Sequence, residues 1–196
     1  MKKIVLTGGP CGGKTSALEA IKLNFPCQVL VVPEAATILL SGGFPVPGRD
    51  LAWSEDWQHD FQASVTVLQT SLEHSYQLMA EQRGATLLVC DRGILDGAAY
   101  TPGGAAEFYR RNNINEADAI ANYTTVIHLE SLAVTAPHLY GRGNNAERFE
   151  SLVEAQTIEH KIKAAWSVHP QQQVITSISD LNEKIAAVLA IIEQHL

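Results

Sequence analysis

The sequence predicts an α/β chain built on a parallel sheet covered by helices on both faces, and two observations carry that prediction. Four short runs rich in valine, isoleucine and leucine, "KIVLTG", "CQVLVVPE", "ATLLVCDRG" and "TTVIHLE", and a weaker fifth, "QQVITSIS", are continuously apolar rather than alternating. That is the pattern of strands buried on two faces. Helical patterns separate the runs, and strands alternating with helices define a doubly wound sheet.

Each element has its own signal. "KTSALEAIKLNF" follows the first run as a helix, and Pro26 stops it after Phe25. From Ser54 to about Met79, Trp57, Phe61, Val65, Leu68, Leu72 and Tyr76 recur at steps of three or four, predicting one long helix whose apolar stripe faces the core. Ser54 is its expected N-cap, with Glu55 and Asp56 in the first turn. The last helix is expected to start at Asp180, with Glu183 completing a capping box and Leu181, Ile185, Val188 and Ile192 on one face. Two stretches read as long loops: glycine- and proline-rich 39 to 53, and basic, asparagine-rich 136 to 148. Loops of that length are usually functional.

Composition narrows the partners. At 196 residues the chain is long enough for one well-buried core, so a single domain over residues 1 to 196 is expected, with a mobile lid near 136 to 150. A formal charge of -7 and no lysine- or arginine-rich run argue against nucleic acid. Cys11, Cys27 and Cys90 show neither disulfide pairing nor zinc-site spacing, which fits a reducing cytoplasm. The apolar run at the N-terminus is too short for a signal-peptide core, and no later run approaches a membrane span. The expected protein therefore stays inside the cell, away from the membrane.

The chemistry concentrates in "GGPCGGKT", residues 8 to 15, which matches G-x-x-x-x-G-K-[ST] with Gly8, Gly13, Lys14 and Thr15 at the defining positions. A strand precedes it and a helix follows, so the loop formed by Gly8, Gly9, Pro10, Cys11, Gly12 and Gly13 with Lys14, Thr15 and Ser16 is a phosphate cradle. Glycines turn backbone N–H groups inward, Lys14 reaches the β- and γ-phosphates, and Thr15 holds Mg²⁺. ATP and Mg²⁺ are the expected cofactors.

Other strand ends add candidates, because ligands gather at the carboxyl ends of strands in open sheets. Asp91 is placed to bind Mg²⁺ through water, and Arg92 to meet a phosphate or substrate oxygen. Glu34, after the second strand, can take a proton from a substrate hydroxyl or simply favour the helix that follows. Arg142 and Arg148 flank the turn of the basic loop and are candidate lid arginines. Trp53, Trp57, Phe61, Asp96 and Tyr100 are candidates for lining an acceptor pocket suited to a flat ring with hydroxyls. His59, His74, His160 and His169 show no shared metal-binding face, and Glu130 reads as structural.

With the loop, "PEAA", "DRGILD", the following "AY" and "GNNAERFES", the chain resembles a small P-loop predicted-ATPase family. That family is similar to the nicotinamide riboside kinase domain of the bacterial NAD regulator and, more distantly, to deoxynucleoside and thymidylate kinases. The resemblance spans roughly residues 3 to 190. It implies a three-layer α/β/α P-loop NTPase, nucleotide-kinase-like, with a five-stranded parallel sheet in the order 2-3-1-4-5. It also implies Lys14 and Thr15 on phosphate and metal, Asp91 on the metal, Glu34 as base, Arg92 as the arginine after strand three, and Arg142 and Arg148 in the lid. Pairing of two copies through the long helix is expected by the same analogy.

Two absences refine the expectation. No N-K-x-D run is present, which favours ATP over GTP, and no acidic residue follows Asp91, unlike many ATP-hydrolysing machines. A ring-forming mechanical ATPase is not expected, since too little chain follows the core for a helical lid domain. The expected activity is transfer of the γ-phosphate to a small hydroxylated, nucleoside-like substrate. The competing expectation is a nucleotide-dependent regulatory protein or slow NTPase with no small-molecule acceptor.

Overall fold

The structure is a computed structural model that describes residues 1–140, 151–176 and 180–196. Five strands, β1 (Lys2–Thr7), β2 (Val29–Val32), β3 (Leu87–Asp91), β4 (Thr125–Leu129) and β5 (Gln172–Ile175), form one sheet in the order β2-β3-β1-β4-β5. Every pairing is parallel, with Val5 opposite Cys90 on one side and Val126 on the other. The strand that enters the glycine cluster is therefore central, and the ends of β3 and β4 flank it.

The helices start and stop where side chains and backbone chemistry direct. Helix α1 (Lys14–Asn24) begins inside the glycine cluster and ends at Phe25, before Pro26. Helix α2 (Ala35–Ser41) takes up the first residues of the expected loop, because it closes only at Gly42. Helix α3 (Glu55–Arg83) is capped by Ser54, whose hydroxyl accepts from the Trp57 amide, and closes on Gly84 at φ 71°. It runs past Met79 because no breaker precedes that glycine. Three helices not anticipated from periodicity, α4 (Asp96–Tyr100), α5 (Gly104–Asn112) and α6 (Glu116–Ala121), fill the connection from β3 to β4. They are too short to show a repeating stripe.

After β4 come α7 (Leu132–Thr135), a 3₁₀ turn at Pro137–Leu139, α8 (Leu152–Trp166), and, beyond β5, α9 (Leu181–Glu193). Ser151 and Glu154 close a capping box on α8. On α9 the Asp180 carboxylate accepts from the Asn182 amide, in place of the box expected with Glu183. The expected lid arginines, Arg142 and Arg148, lie outside the described residues.

Two apolar layers sandwich the sheet. Ile4, Leu6, Leu87, Val89, Ile127 and Leu129 face α1 and α9, and meet Leu18, Ile21, Val188 and Ile192. Val5, Leu88, Cys90 and Val126 face the other way, toward Leu95, Ile162 and Trp166. Alternate residues of each strand thus feed opposite cores, which is why the runs are continuously apolar.

Helix α3 departs from its expected orientation. The stripe at Trp57, Val65, Leu68, Leu72 and Tyr76 is only partly buried, whereas Gln62, Gln69 and Glu73 are buried beside Phe61. The reason is a polar network across the helix. Glu73 accepts from Lys3, Asn122, the Tyr123 hydroxyl at 2.7 Å and the Gln69 amide at 3.0 Å. Buried polar groups matched in this way cost little, so the inward face need not be apolar.

Candidate functional site

The glycine cluster wraps the carboxyl end of β1. Gly8 has φ 134°, and a Cβ there would meet the Leu129 carbonyl oxygen at 2.1 Å; at Gly12 the same oxygen would lie at 2.7 Å. Gly13, at φ 92°, is the N-cap of α1 and leaves the helix without a side-chain cap. The first-turn amides of Lys14, Thr15 and Ser16 therefore point out of the helix end, where an anion is the natural partner. Cys11 lies in the same turn at φ 59°, also left-handed. Pro10 turns its carbonyl to the Ser131 hydroxyl, which donates to it.

The Lys14 ammonium donates to the carbonyls of Gly8 at 2.7 Å and Gly9 at 3.0 Å. Its pKa falls to about 8, chiefly because it is enclosed and secondly because Arg92 is nearby, against the opposing pull of Glu34, Asp91 and Asp96. Asp91 is shifted the other way, up to about 6, by burial and by the charge of Glu34, with Lys14 and Arg92 resisting. Its Oδ1 is buried and accepts no hydrogen bond from another described residue. A buried carboxylate oxygen without a donor suits a hard cation, and Thr15 supplies a second oxygen at the helix start. No cluster of three or more His, Cys, Asp or Glu poised for a metal occurs among the described residues. Mg²⁺ does not need one, since it takes one or two protein oxygens and completes its shell with water and phosphate.

Next to this half lies an arginine held in an unusual backbone conformation. Arg92 has φ 67°, costly for a residue with a Cβ, and its side chain explains what stabilises it. Nε donates to Glu34 Oε1 at 2.5 Å and Nη1 to Asp96 Oδ1 at 3.0 Å. Its backbone N–H donates to the Leu6 carbonyl at 3.0 Å. Asp96, 3% exposed, accepts in addition from the Thr7 hydroxyl at 2.5 Å, the Gly93 amide at 2.9 Å and the Trp166 indole at 3.0 Å. It is the hub that joins β1, the β3 end and α8.

Glu34 keeps its second oxygen on the Thr37 hydroxyl at 2.6 Å. Burial pushes its carboxyl up, but the Arg92 charge and the Thr37 and Arg92 hydrogen bonds outweigh that and leave it below the usual range. It is ionised, and a carboxylate with two such partners still has lone pairs to offer.

A cavity of about 290 Å³ opens beside this pair, between α2, α3 and the turn into α4. Leu40, Phe61, Val65, Ile94 and Tyr100 form its apolar walls, and Glu34, Arg92 and Asp96 its polar end. Phe61, Asp96 and Tyr100 are thus where a pocket-lining role predicts them. Trp57 and Trp53 are not. Trp57 stacks behind Phe61 at 5.2 Å with its indole on the Pro45 carbonyl, and Trp53 borders a separate hollow beside α5 and α8. Helical spacing put Trp57 one turn before Phe61, and the packing makes it a support rather than a wall.

The structure adds a residue that the sequence did not single out. Gln62 is 5% exposed, lines the cavity, and its side-chain amide makes no hydrogen bond to another described residue. Gly97 makes room for it: a Cβ there would lie 3.3 Å from Gln62 Oε1 and 2.5 Å from the Phe108 ring. A glutamine among apolar neighbours gives no periodic signal, so only the folded arrangement reveals it.

A phosphate loop at the end of a central strand, a cation-ready carboxylate on the adjacent strand, and α/β/α layers define a nucleotide-binding P-loop protein. The AAA domain family model matches residues 3–184, and the chain belongs to that family. Among curated proteins no sequence matches the chain. Among the described residues no helix is long and apolar enough to cross a membrane.

Proposed function

We propose that the protein is a Mg²⁺-dependent kinase that moves the γ-phosphate of ATP to a hydroxyl of a small, nucleoside-like acceptor. The observation that carries this reading is the cavity next to the phosphate loop with an ionised carboxylate, Glu34, at its polar end. Its volume, at the lower end of the ~300–1,000 Å³ common for small-molecule sites, suits one compact acceptor.

In this account Lys14 and the first-turn amides of α1 hold the phosphates, and Thr15 and Asp91 are the oxygens that would hold Mg²⁺. The cation supplies charge neutralisation on the phosphates. The acceptor hydroxyl lies against Glu34. As its oxygen bonds to the γ-phosphorus, the bond from phosphorus to the β,γ-bridging oxygen breaks, ADP leaves, and the hydroxyl proton passes to Glu34. Arg92 keeps Glu34 ionised and aimed. Phe61 and Tyr100 contact a flat ring, and the Gln62 amide in the cavity lining favours one with an adjacent donor and acceptor. The resemblance of the sequence motifs to the nicotinamide riboside kinase domain and to deoxynucleoside kinases points to the same acceptor class, and Arg142 and Arg148, outside the described residues, are assigned to the lid from the sequence alone.

The test is ADP release from Mg·ATP with nucleosides, sugars and vitamins as acceptors, against a no-acceptor control. ADP formation that depends on one acceptor class supports the kinase. Tight nucleotide binding with the same slow ADP release in every well replaces it with a regulatory nucleotide switch.

A further inference from the structure

The phosphate loop is fastened from a distance by a buried pair on β4 and α8. Glu159, 1% exposed, accepts from the Gly9 amide through Oε2 at 2.6 Å, and its Oε1 lies 2.6 Å from Nε2 of His128, itself fully buried. A Cβ on Gly9 would meet Oε2 at 2.5 Å, so the glycine permits the approach. Burial pushes the carboxyl up, but His128 and the amides of Gly9 and Ser131 more than offset this and hold it below the usual range. Nδ1 of His128 is buried with no partner among the described residues, so Nε2 is the nitrogen that meets Glu159.

A carboxylate placed against an anion-binding loop opposes phosphate by its charge. Its position is understandable if its job is geometric, an oxygen that holds the Gly9 amide in place. The next residues support this: Pro10 is tied to Ser131, and Gly12 donates to the Gly9 carbonyl at 3.3 Å. The first half of the loop is thus fixed to α8 and the start of α7, while the second half continues into α1 and carries the outward amides.

We propose that Glu159, oriented by His128, is a positioning residue that sets the phosphate loop for nucleotide by holding the Gly9 amide, and that this amide stays on Glu159 when nucleotide binds. The inference rests on nucleotide binding at the loop and does not depend on the acceptor. It divides the loop into an anchored half, residues 8 to 10, and a phosphate-contacting half, residues 11 to 16.

Titration with Mg and a non-hydrolysable ATP analogue tests it in wild type, Glu159→Ala and Glu159→Gln, with thermal unfolding of each, and Lys14→Ala as the control for binding at the loop. Glu159→Ala, folded, should bind about tenfold or more weakly, and Glu159→Gln, which still offers an oxygen to Gly9, should recover most of the loss. In the wild type the Gly9 amide proton should stay protected from solvent exchange with and without the analogue. Wild-type affinity in folded Glu159→Ala, a Gln variant as weak as the Ala variant, or a Gly9 amide that changes environment to that of a phosphate contact would overturn the proposal. Binding that survives in Lys14→Ala would instead strike at the nucleotide site itself, separately from Glu159. If Glu159→Ala does not fold, the Gln variant and the wild-type exchange measurement still decide the question.

Discussion

Arg92 Nε donates to Glu34 at 2.5 Å while Nη1 of the same guanidinium donates to Asp96 at 3.0 Å, so one side chain ties the end of β2 to the first turn of α4. The left-handed backbone of Arg92 is the cost of aiming the fork at both carboxylates. Lysine has a single point of charge and cannot span them. Arg92→Lys is expected to lower the maximal transfer rate by about 10- to 100-fold with little change in nucleotide affinity. Steady-state kinetics beside a nucleotide titration check it, and an unchanged rate would release Arg92 from any part in aiming Glu34.

Nucleotide affinity should depend on pH through Lys14 and Asp91. Lys14 titrates at about 8 in the protein, and a triphosphate favours its charged form. As pH rises through 8 the free protein sheds a proton that the complex retains, so affinity falls by up to ~10-fold per unit. Asp91, at about 6, gains a proton as pH falls, and Mg²⁺ must then displace it. Calorimetry over a range of pH should show a plateau between these two values and a decline on each side. Loss of the alkaline decline in Lys14→Met, beyond its general weakening, ties that limb to the lysine.

Lys14 also imposes a strain on the free protein. Its pKa is lowered from 10.5 to about 8, so folding disfavours the ammonium. The penalty is complete below pH 8 and disappears as pH rises toward 10.5. Lys14→Met should therefore weaken nucleotide binding strongly yet leave stability at neutral pH equal or raised by up to about 3 kcal/mol, with the gain fading in alkali. Denaturant unfolding at two pH values measures this. A clear loss of stability at neutral pH would mean that the carbonyl contacts of Gly8 and Gly9 outweigh the enclosure.

Gly97 is expected to tolerate no side chain. A methyl group would meet the Phe108 ring at 2.5 Å and approach the Gln62 amide, at the floor of the cavity. Gly97→Ala should cost about 1–3 kcal/mol of stability and raise KM for the acceptor more than KM for ATP. Unfolding and two-substrate kinetics separate those effects, and a normal acceptor KM would put Gln62 outside the binding surface.

What could be read from the residues alone follows from the range of the interactions involved. The phosphate loop is local, with every defining group between Gly8 and Thr15, and the strands carry their burial in continuous runs such as Ile4 to Leu6. Both were legible, and the sheet order was legible through resemblance to a family. The inward face of α3 was not, because Gln69 and Glu73 are matched by groups far along the chain and Gln62 faces the cavity, and a polar buried face leaves no apolar period. The same holds for His128 and Glu159, which meet across 31 residues of sequence. The short helices α4 and α5 are set by packing, α4 against α3, α5 and α8 and α5 against α3 and α4, rather than by repeats of their own.

The central claim is that Glu34 accepts the proton of an acceptor hydroxyl during transfer from Mg·ATP. The most direct measurement is acceptor-dependent ADP formation by wild type and Glu34→Gln under identical nucleotide saturation. The account predicts a wild-type rate that requires the acceptor and a Gln variant about 100-fold or more slower with unchanged ATP affinity. Equal rates in the two proteins, or ADP formation indifferent to every acceptor, would contradict it.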